Sequence, residues 1–132
     1  MGILSLLTFA FAPVVKDCGS PTTLFKINAV SLSPIDPVPG HNVTLHLDYT
    51  VPNGLVVTDG QASYTVVYNF MPMTPTIEPL CKNIPCPLSA GTYSNDTTSL
   101  WPSGISGTLT TTIRWSNQDS KPLLCIRIDA RL

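Results

Sequence analysis

Charge is what this chain has least of. Only 11% of its 132 residues are Asp, Glu, Lys or Arg, less than half the usual quarter. The seven basic residues form no cluster and the formal net charge is -1, so nothing suits a phosphate backbone and a nucleic-acid partner is excluded. No segment places apolar residues at i, i+3, i+4 and i+7 through three turns, which excludes a helical architecture. Histidine is scarce as well, with His41 and His46 the only two. His46 shares the outward face of one strand with Asp48, and His41 lies just before it; they read as solvated polar residues, not a metal centre. There is no G-x-S-x-G elbow. The carboxylates at Asp17, Asp36, Asp48, Asp59, Glu78, Asp96, Asp119 and Asp129 are scattered, without an acid–base pair. The chain reads as a non-enzyme with no cofactor and no metal.

What is present is proline and strand periodicity. Thirteen prolines, mostly between apolar runs, sit in a chain that is 43% apolar and long enough for one domain with a core. Val43, Leu45, Leu47, Tyr49 and Val51 alternate with Thr44, His46, Asp48 and Thr50, the clearest half-buried strand. Residues 24–32 form an earlier strand with a phase change near Ala29 and Val30 that suits a bulge. Residues 33–40, with three prolines and a glycine, force a long turn. In 62–70, Ala62, Tyr64, Val66, Tyr68 and Phe70 share a face. Residues 91–99 are polar and read as an edge strand or hairpin arm, and 101–107 as a loop. Residues 107–115 put Leu109, Thr111, Ile113 and Trp115 together, and 123–132 do so for Leu124, Ile126, Ile128 and Ala130. Six or seven short strands at this spacing make an all-β fold of the sandwich type.

Four cysteines allow three pairings, and the short spacing favours Cys81–Cys86, which leaves Cys18–Cys125. Cys125 falls on the polar phase of the last strand, so the segment carrying Cys18 is expected to drape across that strand's outer face. Pro85 and Pro87 flank Cys86, making its segment a turn that needs a staple. Residues 3–12 form an apolar run too short to span a bilayer but suited to a secretory signal, expected over 1–16 with the cut between Ala12 and Lys16. An edge strand or retained tail is the alternative. The sequons at Asn42 and Asn95 agree with export as glycosylation sites. The expected location is secreted or the endolysosomal lumen.

Several inner-face positions are of modest bulk: Ala62, Thr111, Ala130 and several valines. Two facing sheets lined this way pack incompletely unless they close down, and the gap would be an apolar cavity of the kind that holds small ligands. Met71, Met73, Phe70, Trp101 and Ile105 would frame its mouth, with the Cys81–Cys86 turn pinned at the rim. The alternative is a structural or protein-interaction module whose core is fully packed.

A family pattern favours the cavity. D-C-G-S at 17–20, S-P-x-x-P-x-x-G at 33–40, C-x4-C-P-L-x-x-G-x-Y at 81–93 and P-L-L-C ending at Cys125 together resemble the ML (lipid-recognition) domain family over residues 17–132. The resemblance implies an Ig-like β-sandwich of two antiparallel sheets around an apolar cavity, and the same two bridges. It implies a protein that binds and transfers a phospholipid or sterol, meeting a membrane transiently or a donor or acceptor protein, and working as a monomer. Expected lipid-binding residues are Val43, Leu45, Leu47, Tyr64, Val66, Tyr68, Phe70, Met73, Trp101, Ile105, Leu109, Ile113, Trp115, Ile126 and Ile128. The Niemann–Pick type C sterol carrier has a third bridge where Ser33 and Val38 stand here. In that respect the chain is similar to the phosphatidylglycerol/phosphatidylinositol transfer branch, which shifts the expected ligand toward phospholipid.

Overall fold

The structure, a computed structural model, describes residues 12–132. Most of the expected secretory segment lies in 1–11, outside the described residues. In chain order the strands are β1 (Val14–Asp17), β2 (Lys26–Ser33), β3 (Asn42–Val51), β4 (Gly60–Tyr68), β5 (Met71–Pro72), β6 (Thr76–Pro79), β7 (Gly91–Leu100), β8 (Thr108–Asn117) and β9 (Pro122–Arg131). One 3₁₀ turn, Leu80–Lys82, follows β6. Among the described residues no helix is long and apolar enough to cross a membrane. The strands form two antiparallel sheets. One has the order β1-β9-β8-β4-β5, with β6 also on β4; the other is β2-β3-β7. The fold is an all-β, Ig-like sandwich. Its six long strands are those the alternation marks, and β1, β5 and β6 are short additions at the edges.

Alternation explains the layering. Val43, Leu47, Tyr49 and Val51 are buried while His46 and Asp48 face out. The β3–β7 ladder runs unbroken from Asn42↔Leu100 to Val51↔Gly91, and β4–β8 from Gly60↔Asn117 to Tyr68↔Leu109. The phase change in β2 is a register shift between Ile27 and Ala29, where Asn28 Nδ2 donates to Thr50 Oγ1 at 2.7 Å.

The segment before Cys18 does not drape over the outer face of β9. It lies beside β9 in the plane of the sheet, from Val14↔Asp129 to Asp17↔Ile126, and the Cys18 N–H donates to the Cys125 carbonyl at 3.0 Å. An open edge on β9 would leave a row of backbone groups unpaired, and β1 satisfies them. The Cys18–Cys125 bridge closes this edge, with Cα atoms 5.0 Å apart. Beyond it Phe25 N–H donates to the Leu123 carbonyl at 2.8 Å, which brings the Phe25 ring into the core.

One end of the sandwich is densely packed. Phe25 stacks on Tyr49 at 5.3 Å, Tyr93 stacks on the same ring at 5.7 Å, and Trp115 meets it edge-on at 5.6 Å. The loop holding the Cys81–Cys86 bridge belongs to this end, not to a cavity rim. Its Leu80, Ile84 and Leu88 are all buried in the aromatic core, and Leu88 exchanges backbone hydrogen bonds with Val57 at 2.8 Å. Three large aliphatic side chains outweigh the polar, proline-rich look of the segment. Gly60 is where the loop, β4 and β8 converge: a Cβ there would sit 2.0 Å from the Ser116 carbonyl oxygen and 3.1 Å from Leu80 Cδ2.

Candidate functional site

Away from that plug the sheets enclose an apolar cavity of about 290 Å³, at the lower edge of the range for small-molecule sites. Leu32, Val43 and Leu45 line it from β2 and β3, and Thr97, Ser99 and Leu100 from β7. Tyr64, Leu109, Thr111, Ile113, Ile128 and Ala130 line it from the larger sheet, with Trp101 and Pro102 at the mouth. Trp101 is tied to the loop before β3: its N–H donates to the His41 carbonyl at 2.9 Å, and the Trp101 carbonyl accepts from Gly40 N–H at 3.0 Å. Deeper in lies a small chamber of about 30 Å³, lined by Leu47, Asn83, Asn95, Trp115 and Ile126. It shares Leu45, Tyr64, Thr97 and Ile113 with the outer chamber, so the two are consecutive.

The structure brings together ten of the fifteen residues expected from alternation and loop position. Val43, Leu45, Tyr64, Trp101, Leu109, Ile113 and Ile128 line the outer chamber, while Leu47, Trp115 and Ile126 line the inner one. Val66, Tyr68, Phe70, Met73 and Ile105 line neither. Val66 and Tyr68 keep the inward phase of β4, paired with Thr111 and Leu109, but Tyr68 turns its hydroxyl to the Ser106 carbonyl at 2.6 Å. Phe70 is corrected outright, being 89% exposed. β4 stops at Tyr68, and Asn69 and Phe70 take φ values of +48° and +67°, which ends the alternation that would have placed Phe70 inside. Asn69 holds this turn, accepting from Thr108 N–H at 2.9 Å. Met73 follows the turn and is exposed. Ile105 lies in a shallow groove outside Trp101 with the prolines of the loop before β3.

The polar run 91–99 is the edge strand its sequence suggests, β7 at the end of β2-β3-β7 and largely exposed. What the pattern did not give is its register: Ser99 lies opposite Val43, Thr97 opposite Leu45 and Asn95 opposite Leu47, and directly opposed residues share a face. That register was the missing signal. It also bears on glycosylation. Asn95 Nδ2, the atom that would carry a glycan, donates to the Asn83 carbonyl at 2.6 Å. Asn42 is exposed at the start of β3.

The polar groups around the inner chamber form a network. Tyr64 donates its hydroxyl to Glu78 Oε1 at 3.0 Å, and Asn83 Nδ2 donates to the same carboxylate at 2.9 Å. Burial, with the Glu78 carboxylate adding to it, pushes Tyr64 up to about 12. The donated hydrogen bonds, Asn83 first and Tyr64 second, lower the pKa of Glu78. Thr97 donates its hydroxyl to Asn95 Oδ1 at 3.2 Å. Trp115 is 4% exposed, and its indole Nε1 is buried without a hydrogen-bond partner. Among the described residues no group of three or more His, Cys, Asp or Glu is placed to hold a metal ion.

The arrangement is a disulfide-bonded β-sandwich with an apolar chamber between its sheets, a shape that small-molecule sites commonly take. The chain belongs to the ML lipid-recognition family, whose domain profile matches residues 13–132. It is 30% identical over 138 residues to a Dictyostelium discoideum protein provisionally named a phosphatidylglycerol/phosphatidylinositol transfer protein, covering 98% of this chain and 94% of that one. It is also 30% identical over 120 residues to the phosphatidylglycerol/phosphatidylinositol transfer protein of Mycosarcoma maydis, covering 84% of this chain and 61% of that one. Among solved structures it is similar to a Niemann–Pick type C2 protein from the Japanese carpenter ant, with a TM-score of 0.67, 18% identity, and coverage of 89% of this chain and 98% of that one. It is similar too to chicken MD-1 complexed with lipid IVa, with a TM-score of 0.57, 17% identity, and coverage of 90% and 88%. These two likenesses speak to the fold.

Proposed function

We propose that this protein is a non-enzymatic lipid carrier that holds a phospholipid acyl chain between its sheets and moves it between membranes. The observation that carries this reading is the 290 Å³ cavity at one end of an otherwise well-filled sandwich. Each methylene moved from water into such a cavity contributes about 0.8 kcal/mol. A fully packed interaction module would need native density throughout, and the open cavity argues against it. The two relatives named for phosphatidylglycerol and phosphatidylinositol transfer support phospholipid over sterol. So do Ser33 and Val38, which stand where the sterol carrier has a third bridge.

A membrane is the natural source and destination. Ile35, Val38, Leu100 and Ile105 are exposed in or beside the two loops that meet at Trp101, so the mouth presents apolar side chains with little charge. Encounter with vesicles should then depend only weakly on salt. Two closed disulfides support export to an oxidising compartment, secreted or endolysosomal. The test is native mass spectrometry of the protein from its own source, with lipid extraction and a vesicle transfer assay using labelled phosphatidylglycerol, phosphatidylinositol and cholesterol. A lipid-bound mass and faster phospholipid transfer are expected. A clean apo mass with no uptake of any of the three would overturn the proposal.

A further inference from the structure

We infer that the two chambers in series act as a ruler, admitting one straight alkyl chain whose terminal methyl stops in the inner chamber. This rests on the carrier reading and narrows its ligand class to lipids with a saturated chain of set length. Three observations converge. First, the chambers share Leu45, Tyr64, Thr97 and Ile113, which frame the passage between a space of about 290 Å³ and one of about 30 Å³. The inner space is about what one water occupies in the liquid, room for a chain end and not for a second chain. Second, the floor has no slack to recede. Leu47 and Ile126 are 3% and 1% exposed, and Trp115 beside them meets the Tyr49 ring edge-on at 5.6 Å, with Phe25 stacked on that ring. Close-packed interiors yield little.

Third, the side of the inner chamber is stitched across the sheets. Asn95 of β7 donates to the Asn83 carbonyl at 2.6 Å. Asn83 in turn donates to Glu78 of β6 at 2.9 Å and to the Tyr64 hydroxyl of β4 at 3.2 Å. These bonds tie the small sheet to the large one at the depth where the chain would end, so the passage does not widen by the sheets parting. They also satisfy Asn83, Asn95 and Tyr64 from within the protein, and a methyl group arriving there strands none of them. Each methylene that leaves water for the chambers raises affinity about fourfold. Once the terminal methyl meets the floor, a further methylene has to stay in water at the mouth or buckle the chain, and the gain ends.

A chain-length series tests this. Lysophosphatidylglycerols with saturated chains from octanoyl to stearoyl, each kept below its micelle-forming concentration, are titrated by displacement of a fluorescent fatty acid. Affinity should climb about fourfold per carbon and then level off or fall at one length. Ile126→Val takes one methylene from the floor, and its break should come about one carbon later. Thr97→Ile adds bulk to the passage at an exposed edge-strand position that suits a β-branched side chain, and its break should come at a shorter chain. That exposed site keeps the test decisive even if Ile126→Val folds poorly. Breaks displaced in these opposite directions support the ruler. A climb that continues unbroken to the longest chain, or a break at the same length in all three proteins, overturns the inference and leaves the carrier reading intact. No binding at any length overturns both.

Discussion

The two ends of the sandwich are made by the same strands and differ almost entirely in what fills them. β3, β4, β8 and β9 run through both, and the β3–β7 and β4–β8 ladders show no register break between them. At one end Tyr49, Trp115 and Phe25 interlock, and the loop after β6 inserts Leu80, Ile84 and Leu88. At the other end the same strands present Thr111 and Ala130, β7 offers Thr97 and Ser99, and no loop plugs the gap. Across these two ladders the hollow comes from side-chain volume and a missing plug, not from a break in pairing. A stable sandwich with one open end needs this asymmetry, because the dispersion attraction that an open cavity forgoes has to be supplied by tight packing at the plugged end.

Mutations should separate the ends. The largest effect belongs to Cys18–Cys125, whose cysteines are 107 residues apart; replacing both by Ser should cost about 4–5 kcal/mol on the chain-entropy model, read as a urea midpoint shift. Leu80→Ala, at a fully buried position, should cost about 2–5 kcal/mol, against about 1 kcal/mol or less for Leu109→Ala on the cavity wall. Equal costs would mean that the hollow end is as tightly packed as the plugged one. Replacing Cys81 and Cys86, five residues apart, should cost about 2 kcal/mol with lipid retention unchanged once stability is matched. If retention fell first, the loop would serve the mouth after all.

Thr111→Leu should do the opposite. It adds apolar bulk to a wall facing open space, so the urea midpoint should stay within error while lipid transfer falls by about tenfold. The short-loop bridge, the strand faces and the two-sheet fold could all be read from alternation and cysteine spacing, because burial of one face dictates both. The plug could not. Leu80, Ile84 and Leu88 are spaced among prolines and cysteines that argue for an exposed turn, and only the Val57↔Leu88 pairing shows where they go. The β7 wall was hidden for a related reason. Thr97 and Ser99 are exposed on this edge strand, and only their partners in β3 show that they flank the cavity. Phe70 was misplaced because a strand face was extended through a turn whose positive φ values leave no signature in alternation.

The smallest effect concerns the outer face of β3 and sharpens the comparison differently, since that face belongs to neither filling. His46 lies between Asp96 at Nδ1 and Asp48 at Nε2, the latter at 3.1 Å. Hydrogen bonds to Asp96 first and Asp48 second raise its pKa above 6.5. Asp48 is lowered below 3.8, chiefly by the Ser94 hydroxyl and then by His46, against the opposing effect of burial. A raised histidine contributes stability fully below its unfolded value and loses it as pH climbs through the folded one. A lowered aspartate contributes above its unfolded value and loses it as pH falls through the folded one. By these directions the His46 and Asp48 contributions are both present between about pH 4 and pH 6.5, and solvent screening at this exposed face keeps them small. An NMR titration should find the His46 ring titrating above 6.5 in the wild type and moving down in D96N. A His46 value at or below 6.5 would show that solvent screens both partners and that this face adds nothing to the acid stability of either end.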